Sequence, residues 1–261
     1  SGRFLMEDFY YAGGLPALMS RIASDLHLDA TTVNGRTLGE NIRNSACWND
    51  AVIRPRDKPV KENAGIAVLR GNLAPDGAVI KPSAASPDLV RHRGPALVFD
   101  GLADMRARID SEEADENTVL VMRNVGLKGH PGMPEVGNMP LPRKLLERGV
   151  RDMVRISDAR MSGTAYGTVI LHVAPEAAAG GPLALIETGD IVEIDLEARR
   201  IHMDVPDDVL AARKARWTAP TPAAVDGYVR LFLDHVQQPD QGGDFDILVG
   251  KRGANAGDNA H

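Results

Sequence analysis

The segment Ile156-Ser157-Asp158-Ala159-Arg160-Met161-Ser162-Gly163-Thr164-Ala165-Tyr166-Gly167 gathers groups able to do chemistry. Ser162 and Thr164 flank a glycine, and Asp158 and Arg160 form a charged pair just upstream. A turn built only for connection needs Gly, Asn, Asp or Pro. Here two hydroxyls are spaced around Gly163, where backbone can approach a ligand closely. A hydroxyl in such a place can be a nucleophile or a base. As a base it must lose its proton, which requires a strong positive field such as a metal cluster or a helix N-terminus. The commoner role of a serine after a strand and turn is to cap a helix or brace the turn. Ser162 is not in a Gly-x-Ser-x-Gly elbow, since its neighbours read Arg160-Met161-Ser162-Gly163-Thr164, so an esterase has little support.

A second segment, Gly126-Leu127-Lys128-Gly129-His130-Pro131-Gly132-Met133-Pro134-Glu135, lies about twenty residues earlier. Its prolines and glycines stiffen it, and rigid loops are where ligands are held. Glu135 can be one of several oxygen ligands to Mg²⁺, although loop carboxylates are commonly just solvated. His130 beside it reads as a surface residue. The Lys128–Gly132 stretch lacks P-loop spacing. The sole cysteine, Cys47, reads as a buried small residue and cannot hold an iron–sulfur cluster by itself. The two segments read as two loops of one site.

The elements that must position these loops are short. Apolar runs of strand length recur between turn signals: Ile66–Leu69, Ala78–Ile80, Ala96–Phe99, Thr118–Met122, Asp152–Ile156, Thr168–Leu171 and Leu183–Ile186. Gly189-Asp190 sits between Ala184–Ile186 and Ile191–Ile194 and suggests a hairpin; Ala198-Arg199-Arg200 suggests another, into Ile201–Met203. Leu15–Ala23 has helical spacing with Pro16 in a first turn, and Thr37-Leu38-Gly39-Glu40 resembles a capping box. Ala223–Leu233 reads as a helix with one apolar face, before a Gly- and Asn-rich end at 250–261 that includes His261 and reads as mobile. The expected organisation is a helical segment at 1–60, a barrel at 61–216 and a helix with a tail at 217–261. The fold class is α+β, a mixed β-barrel with flanking helices.

With 43% hydrophobic and 25% charged residues, the chain is of globular type. Its net charge of −6 and 4% aromatics argue against a nucleic-acid binder. No apolar run reaches the roughly 18 residues of a membrane span. One cysteine permits no internal disulfide and favours a cytoplasmic setting. The opening Ser1-Gly2-Arg3-Phe4-Leu5-Met6 reads as interior sequence, so the chain is expected to be part of a longer protein.

Several motifs in order resemble the IlvD/Edd family of iron–sulfur dehydratases. They are Ser1–Phe9, Leu69–Lys81, Gly132–Glu135, Ser157–Gly167, His172–Ala177 and Gly180–Ala184. The form Ser-Asp-Ala-Arg-Met-Ser-Gly-Thr is most similar to the pentonate dehydratases, such as those of L-arabinonate or D-xylonate; the branched-chain enzymes more often carry Asp-Gly-Arg-Phe-Ser-Gly. Gln241–Asp246 and Gly250–Gly253 also resemble the sugar-acid branch.

The resemblance implies a swivelling β/β/α domain like the C-terminal domain of aconitase-type enzymes. It implies an iron–sulfur cluster and Mg²⁺, and a 2,3-dihydroxy sugar acid as substrate. Ser162, as an alkoxide, would take the C2 proton, and the C3 hydroxyl would leave with iron as Lewis acid. The resulting enol would tautomerise to the 2-keto-3-deoxy acid. Thr164 would support the serine, Glu135 would ligate Mg²⁺, and Arg160 and Gly163 would meet the substrate. A structural ion pair between Arg160 and Asp158 is an equal expectation. The family's cluster cysteines and most Mg²⁺ ligands lie in an N-terminal half that this chain lacks, so that half is an expected partner and the chain alone is expected to be inactive. Homodimers or homotetramers are expected. The other readings are a dihydroxy-acid dehydratase of branched-chain synthesis and a non-catalytic barrel that binds a partner or ligand.

Overall fold

The computed structural model describes residues 3–62, 65–111, 114–162 and 166–249. The chain divides into two compact units, Ser1–Asn63 and Ala64–His261. The first holds three short helices, α1 (Met6–Tyr11), α2 (Gly14–Arg21) and α3 (Leu38–Ile42). Pro16 sits in the first turn of α2, where its missing N–H has no intrahelical partner to lose. The capping box at α3 forms: Thr37 Oγ1 accepts the Glu40 N–H at 3.2 Å, and Glu40 Oε2 accepts the Thr37 N–H at 2.8 Å. The core of this unit is small, Ala12, Ala17 and Ile53 with Phe9, Cys47 and Val52 against it. Cys47 is half-buried there rather than fully enclosed.

The second unit is a closed barrel of eight strands. In chain order its elements are β1 (Ala67–Gly71), β2 (Ala74–Ile80), β3 (Arg91–Asp100), α4 (Gly101–Arg108), β4 (Val119–Arg123), α5 (Arg143–Glu147), β5 (Arg155–Ser157), β6 (Val169–Ala174), β7 (Ile191–Asp195), β8 (Arg200–Asp204), α6 (Asp207–Arg216) and α7 (Gly227–His235). Around the barrel the order is β1-β2-β6-β5-β4-β3-β7-β8. The run β3-β4-β5-β6 is parallel, and the other neighbours are antiparallel except at the β8–β1 seam. Parallel neighbours end side by side, so the loops after β4 and after β5 emerge together at one rim. Those are the loops that carry Glu135 and Ser162.

Parallel strands covered by helices are buried on both faces. In β4, Val119 and Val121 point into the barrel core with Leu69, Ile80, Ile156, Ile170 and Met203. The alternate residues Leu120 and Met122 join Phe99, Met105, Leu145 and Met153 in an outer layer under α4 and α5. That explains why Thr118–Met122 shows no polar alternation in sequence.

The seam that closes the barrel is thin. β1 meets β8 through one parallel pair, Arg70 with Arg200. Gly71 makes the crossing possible, because a Cβ there would overlap the Ile201 carbonyl. Asn72 in the β1–β2 turn then acts as a strand substitute. Its Nδ2 donates to the Met203 carbonyl and its Oδ1 accepts the Met203 N–H, each at 2.7 Å.

Three expectations need correction. Leu183–Ile186 is not a strand: Pro182–Leu185 forms a 3₁₀ turn begun by proline. Its carbonyls at Ala184 and Ile186 are satisfied by the Arg123 guanidinium at 2.9 and 3.0 Å instead of by a ladder. Gly189-Asp190 therefore makes no hairpin between two strands; both residues exchange backbone hydrogen bonds with Ala96 on β3. The hairpin at 196–199 does form, joining β7 to β8. The helix expected from Ala223 starts at Gly227, after an extended Asp226. The expectation for 250–261 lies outside the described residues.

Replacing Asn72 by Ala should leave the Met203 backbone groups without partners and cost about 1–3 kcal/mol. Urea or thermal unfolding of Asn72→Ala measures this, and an unchanged midpoint would show that the seam is held by other contacts.

Candidate active site

Two buried carboxylates fix the loop after β4. Asp158, one residue past β5, is fully buried and has no cation against it. Its Oδ1 accepts the Val125 N–H at 3.0 Å, and its Oδ2 accepts the N–H groups of Asn124 at 3.2 Å and Ala177 at 3.0 Å. Burial pushes its pKa up to about 6; the nearby Glu176 charge adds to this and the three N–H bonds oppose it. Glu176, also fully buried, accepts the N–H of Lys128 at 3.0 and 2.9 Å and of Gly129 at 3.3 Å, and it accepts from Gln238 Nε2 at 2.8 Å. Gly126 has to be glycine, since a Cβ there would overlap the Glu176 carboxylate.

The expected pair between Arg160 and Asp158 does not form, because Asp158 points into the fold and spends its oxygens on backbone. Arg160 Nη2 lies 3.2 Å from Glu135 Oε1 instead. This bridge joins the two loops singled out by sequence. Both side chains are about half exposed, at 51% and 46%, so the pair is screened and worth little as stability.

The far end of the serine loop is anchored by Asp152 and Arg155. Burial alone would raise the Asp152 pKa, but hydrogen bonds from Ser86 and Thr168 and the Arg155 charge hold it below the usual carboxylate range. Arg155 Nη2 lies 2.8 Å from Asp152 Oδ1 and donates to the Tyr166 carbonyl at 3.1 Å. Its Nη1 donates to Asn138 Oδ1 at 2.8 Å and to the Met139 carbonyl at 3.1 Å. One guanidinium thus ties the end of each loop to the other.

Ser162 is half-buried in the wall of a cavity of about 600 Å³. The rest of that wall comes from β1, β2, β6 and the turn at Pro239–Gln241, and includes Lys81, His172, Arg70, Asp76 and Asp240. Lys81 follows β2, and its Nζ donates to the Ser162 carbonyl at 2.7 Å. His172 lies in a register irregularity of β6: Gly77 pairs with Ala174, but Val79 pairs with Leu171. The extra residue puts His172 at φ 55°, a local kink of the kind that re-aims a side chain. Its Nε2 accepts the Met161 N–H at 2.9 Å, and its backbone N–H donates to the Ala159 carbonyl at 2.9 Å. Accepting at Nε2 requires the neutral ring with its proton on Nδ1. Burial, and then the Arg160 charge, lower the His172 pKa and favour that form.

Gly163 and Thr164 lie outside the described residues. His130 is exposed, and Lys128 contributes its backbone N–H. Lys81 and His172 stand within two of the motifs that carry the resemblance, but no spacing marks them for the site, and only the β2–β6 pairing brings them to Ser162. Asp158 is legible only as half of a charged pair and Glu176 only within the His172–Ala177 motif, since burial is what gives them their work.

The groups that the resemblance implies can be tested against these residues. The sequence has one cysteine, in the first unit, which cannot ligate a cluster. Among the described residues no three His, Cys, Asp or Glu side chains converge as a metal site. Glu135 offers a single carboxylate, and Arg160 holds it. These residues by themselves fit neither an iron–sulfur cluster nor a complete Mg²⁺ site.

The Asp158 carboxyl titrates near 6 in the folded chain and near 3.9 unfolded. The native state therefore holds the extra proton between those values. This group's contribution to stability is fully present below about pH 4 and is lost as pH rises through 6. Asp158→Asn offers one carbonyl oxygen to three N–H donors and should be less stable throughout. The wild-type advantage should shrink between pH 4 and 7 by on the order of 2–3 kcal/mol. Urea midpoints at both pH values check it; an advantage that grows would mean the anion is the favoured native form.

Residues 51–243 match the family model described as dihydroxy-acid/6-phosphogluconate dehydratase C-terminal, and residues 1–41 match the corresponding N-terminal model. An L-arabonate dehydratase of Azospirillum brasilense is 55% identical over 273 residues, covering 100% of this chain and 47% of the relative. A 6-deoxy-6-sulfo-D-gluconate dehydratase of Pseudomonas putida is 50% identical, covering 95% and 44%. A dihydroxy-acid dehydratase of Caldanaerobacter subterraneus subsp. tengcongensis is 41% identical, covering 94% and 44%. The chain spans about half the length of the curated relatives it matches. Its motifs, its barrel and these matches together place it in the dihydroxy-acid/6-phosphogluconate dehydratase family.

Proposed function

We propose that this chain is the serine-bearing part of a hydro-lyase that dehydrates a 2,3-dihydroxy sugar acid, a pentonate, to its 2-keto-3-deoxy acid. The observation that carries the reading is Ser162 in a cavity wall, braced by the hydrogen bonds of Lys81 to its carbonyl and of Met161 to His172, on a loop that leaves a rim shared with Glu135. In this reading the Ser162 oxygen takes the proton from C2, breaking the C–H bond. The C3 hydroxyl departs, and with one added proton becomes water. The enol left behind loses its hydroxyl proton and gains one at C3, giving the keto acid. The chain's own residues hold the base and the cavity. The iron–sulfur cluster, the remaining Mg²⁺ ligands and whatever assists hydroxyl departure come from residues outside these 261. Homo-oligomeric assembly and a cytoplasmic setting belong to the same proposal. No helix among the described residues is long and apolar enough to cross a membrane.

The higher identity to relatives named for sugar acids than to the one named for dihydroxy acids favours a pentonate over the branched-chain substrate. The sequence Asp158-Ala159-Arg160-Met161 points the same way.

The test is 2-keto acid formation by the full-length protein on L-arabinonate, D-xylonate and 2,3-dihydroxyisovalerate. Turnover of a pentonate is expected, and Ser162→Ala should lower kcat by roughly 10²–10⁴-fold, the usual share of a general base. Turnover of the branched-chain acid alone would replace the substrate, and full activity in Ser162→Ala would remove the base.

A further inference from the structure

We propose that Lys81 is the positioning residue that holds Ser162 in the cavity wall and adds a fixed positive charge beside its alkoxide. The proposal rests on the reading of Ser162 as the base. A serine can act that way only in a positive field; the cluster and Mg²⁺ of the proposed holoenzyme come from outside this chain, and the described residues hold no metal-ligand cluster of their own. They do offer an ammonium 2.7 Å from the carbonyl oxygen of the same residue. Carbonyl and hydroxyl belong to one residue, so the ammonium is held against the residue that carries Oγ. An opposite charge within about 4–6 Å favours the ionised form. Both residues are half-buried, so the field is screened less than at an open surface.

The fold places this lysine deliberately. Ile80, its neighbour, pairs with Ile170 on β6, and Val79 pairs with Leu171. The end of β2 is thereby fixed beside the strand that receives the serine loop. The other charged groups facing the cavity are Arg70 on β1, Asp76 on β2 and Asp240 in the turn after α7. These are one cation and two carboxylates, and Arg70 Nη1 donates to the Pro75 carbonyl at 3.1 Å. His172 on β6 is neutral while it accepts from Met161, and Arg160 and Glu135 compensate each other. Lys81 is a cation hydrogen-bonded to the serine residue itself.

A lysine that merely filled a carbonyl's hydrogen bond would have the same geometry, and the two roles separate by substitution. Lys81→Gln keeps a donor and removes the charge; Lys81→Arg keeps both. In the full-length holoenzyme, Lys81→Gln should lower kcat by about 10–10³-fold with KM nearly unchanged. The low-pH limb of the kcat profile should move up by about 1–3 pH units, because a base without its cation needs a higher pH to ionise. Lys81→Arg should recover most of both. A raised KM with unchanged kcat, an unmoved pH limb, or equal losses in both variants with a lowered Tm would each overturn the proposal. Ser162→Ala is run beside them. Turnover that survives it overturns the base reading and this one with it, whereas loss in Ser162→Ala with wild-type behaviour in Lys81→Gln overturns this one alone.

Discussion

A carboxylate cut off from water must be given hydrogen bonds, and Asp158 takes three from backbone N–H groups on two other segments. It stands where β5 turns into the serine loop. By capturing Asn124 and Val125 it binds that loop to the loop after β4, and by capturing Ala177 it binds both to the segment after β6. Glu176 repeats the arrangement from that segment, reaching back to Lys128 and Gly129 and outward to Gln238. The inner rim is therefore held by acids acting as acceptors for stray backbone donors, and the far end of the serine loop by the buried Arg155–Asp152 pair. Loss of either acid would free several N–H groups at once, so the two loops keep or lose their shape together.

That bracing works because of topology. β4 and β5 are adjacent and parallel, so their following loops leave from one edge. Antiparallel pairing would have sent Glu135 and Ser162 to opposite ends of the barrel. Arg155 adds a second tie, from Asn138 and Met139 to Tyr166. The glycines at 126 and 167 are where these ties pass through the chain: a Cβ at Gly126 would strike Glu176, and one at Gly167 would strike Arg155 and Asp152.

Much of this was legible in the residues. Short apolar runs gave most of the strands, since a strand buried on both faces needs an uninterrupted run, and the Thr37–Glu40 capping box is a local rule that the fold leaves intact. Leu183–Ile186 misled because apolar content alone cannot tell a strand from a packed turn; the decisive fact is Arg123 satisfying its carbonyls from 61 and 63 residues away. The loops of the site could be picked out by their glycines and hydroxyls. Their supports could not, because Lys81, His172, Asp158 and Glu176 acquire their roles from long-range pairing and burial. Arg160 shows the difference within one motif: two residues from Asp158, it nevertheless turns to Glu135, since its nearer neighbour is already saturated with backbone donors.

The groups around Ser162 share an electrostatic logic. His172 braces Met161 as an acceptor, which keeps it uncharged, and its burial beside Arg160 reinforces that state. Asp158 is screened from the cavity by the fold, and Arg160 is matched by Glu135. Each neighbour thus holds the loop without adding net charge beside the hydroxyl. A protonated His172 would lose its acceptor nitrogen and release Met161, moving the serine it was holding. The Lys81 ammonium is hydrogen-bonded to the Ser162 residue itself, and at a half-buried site a cation acts on a nearby hydroxyl more strongly than it would in open water.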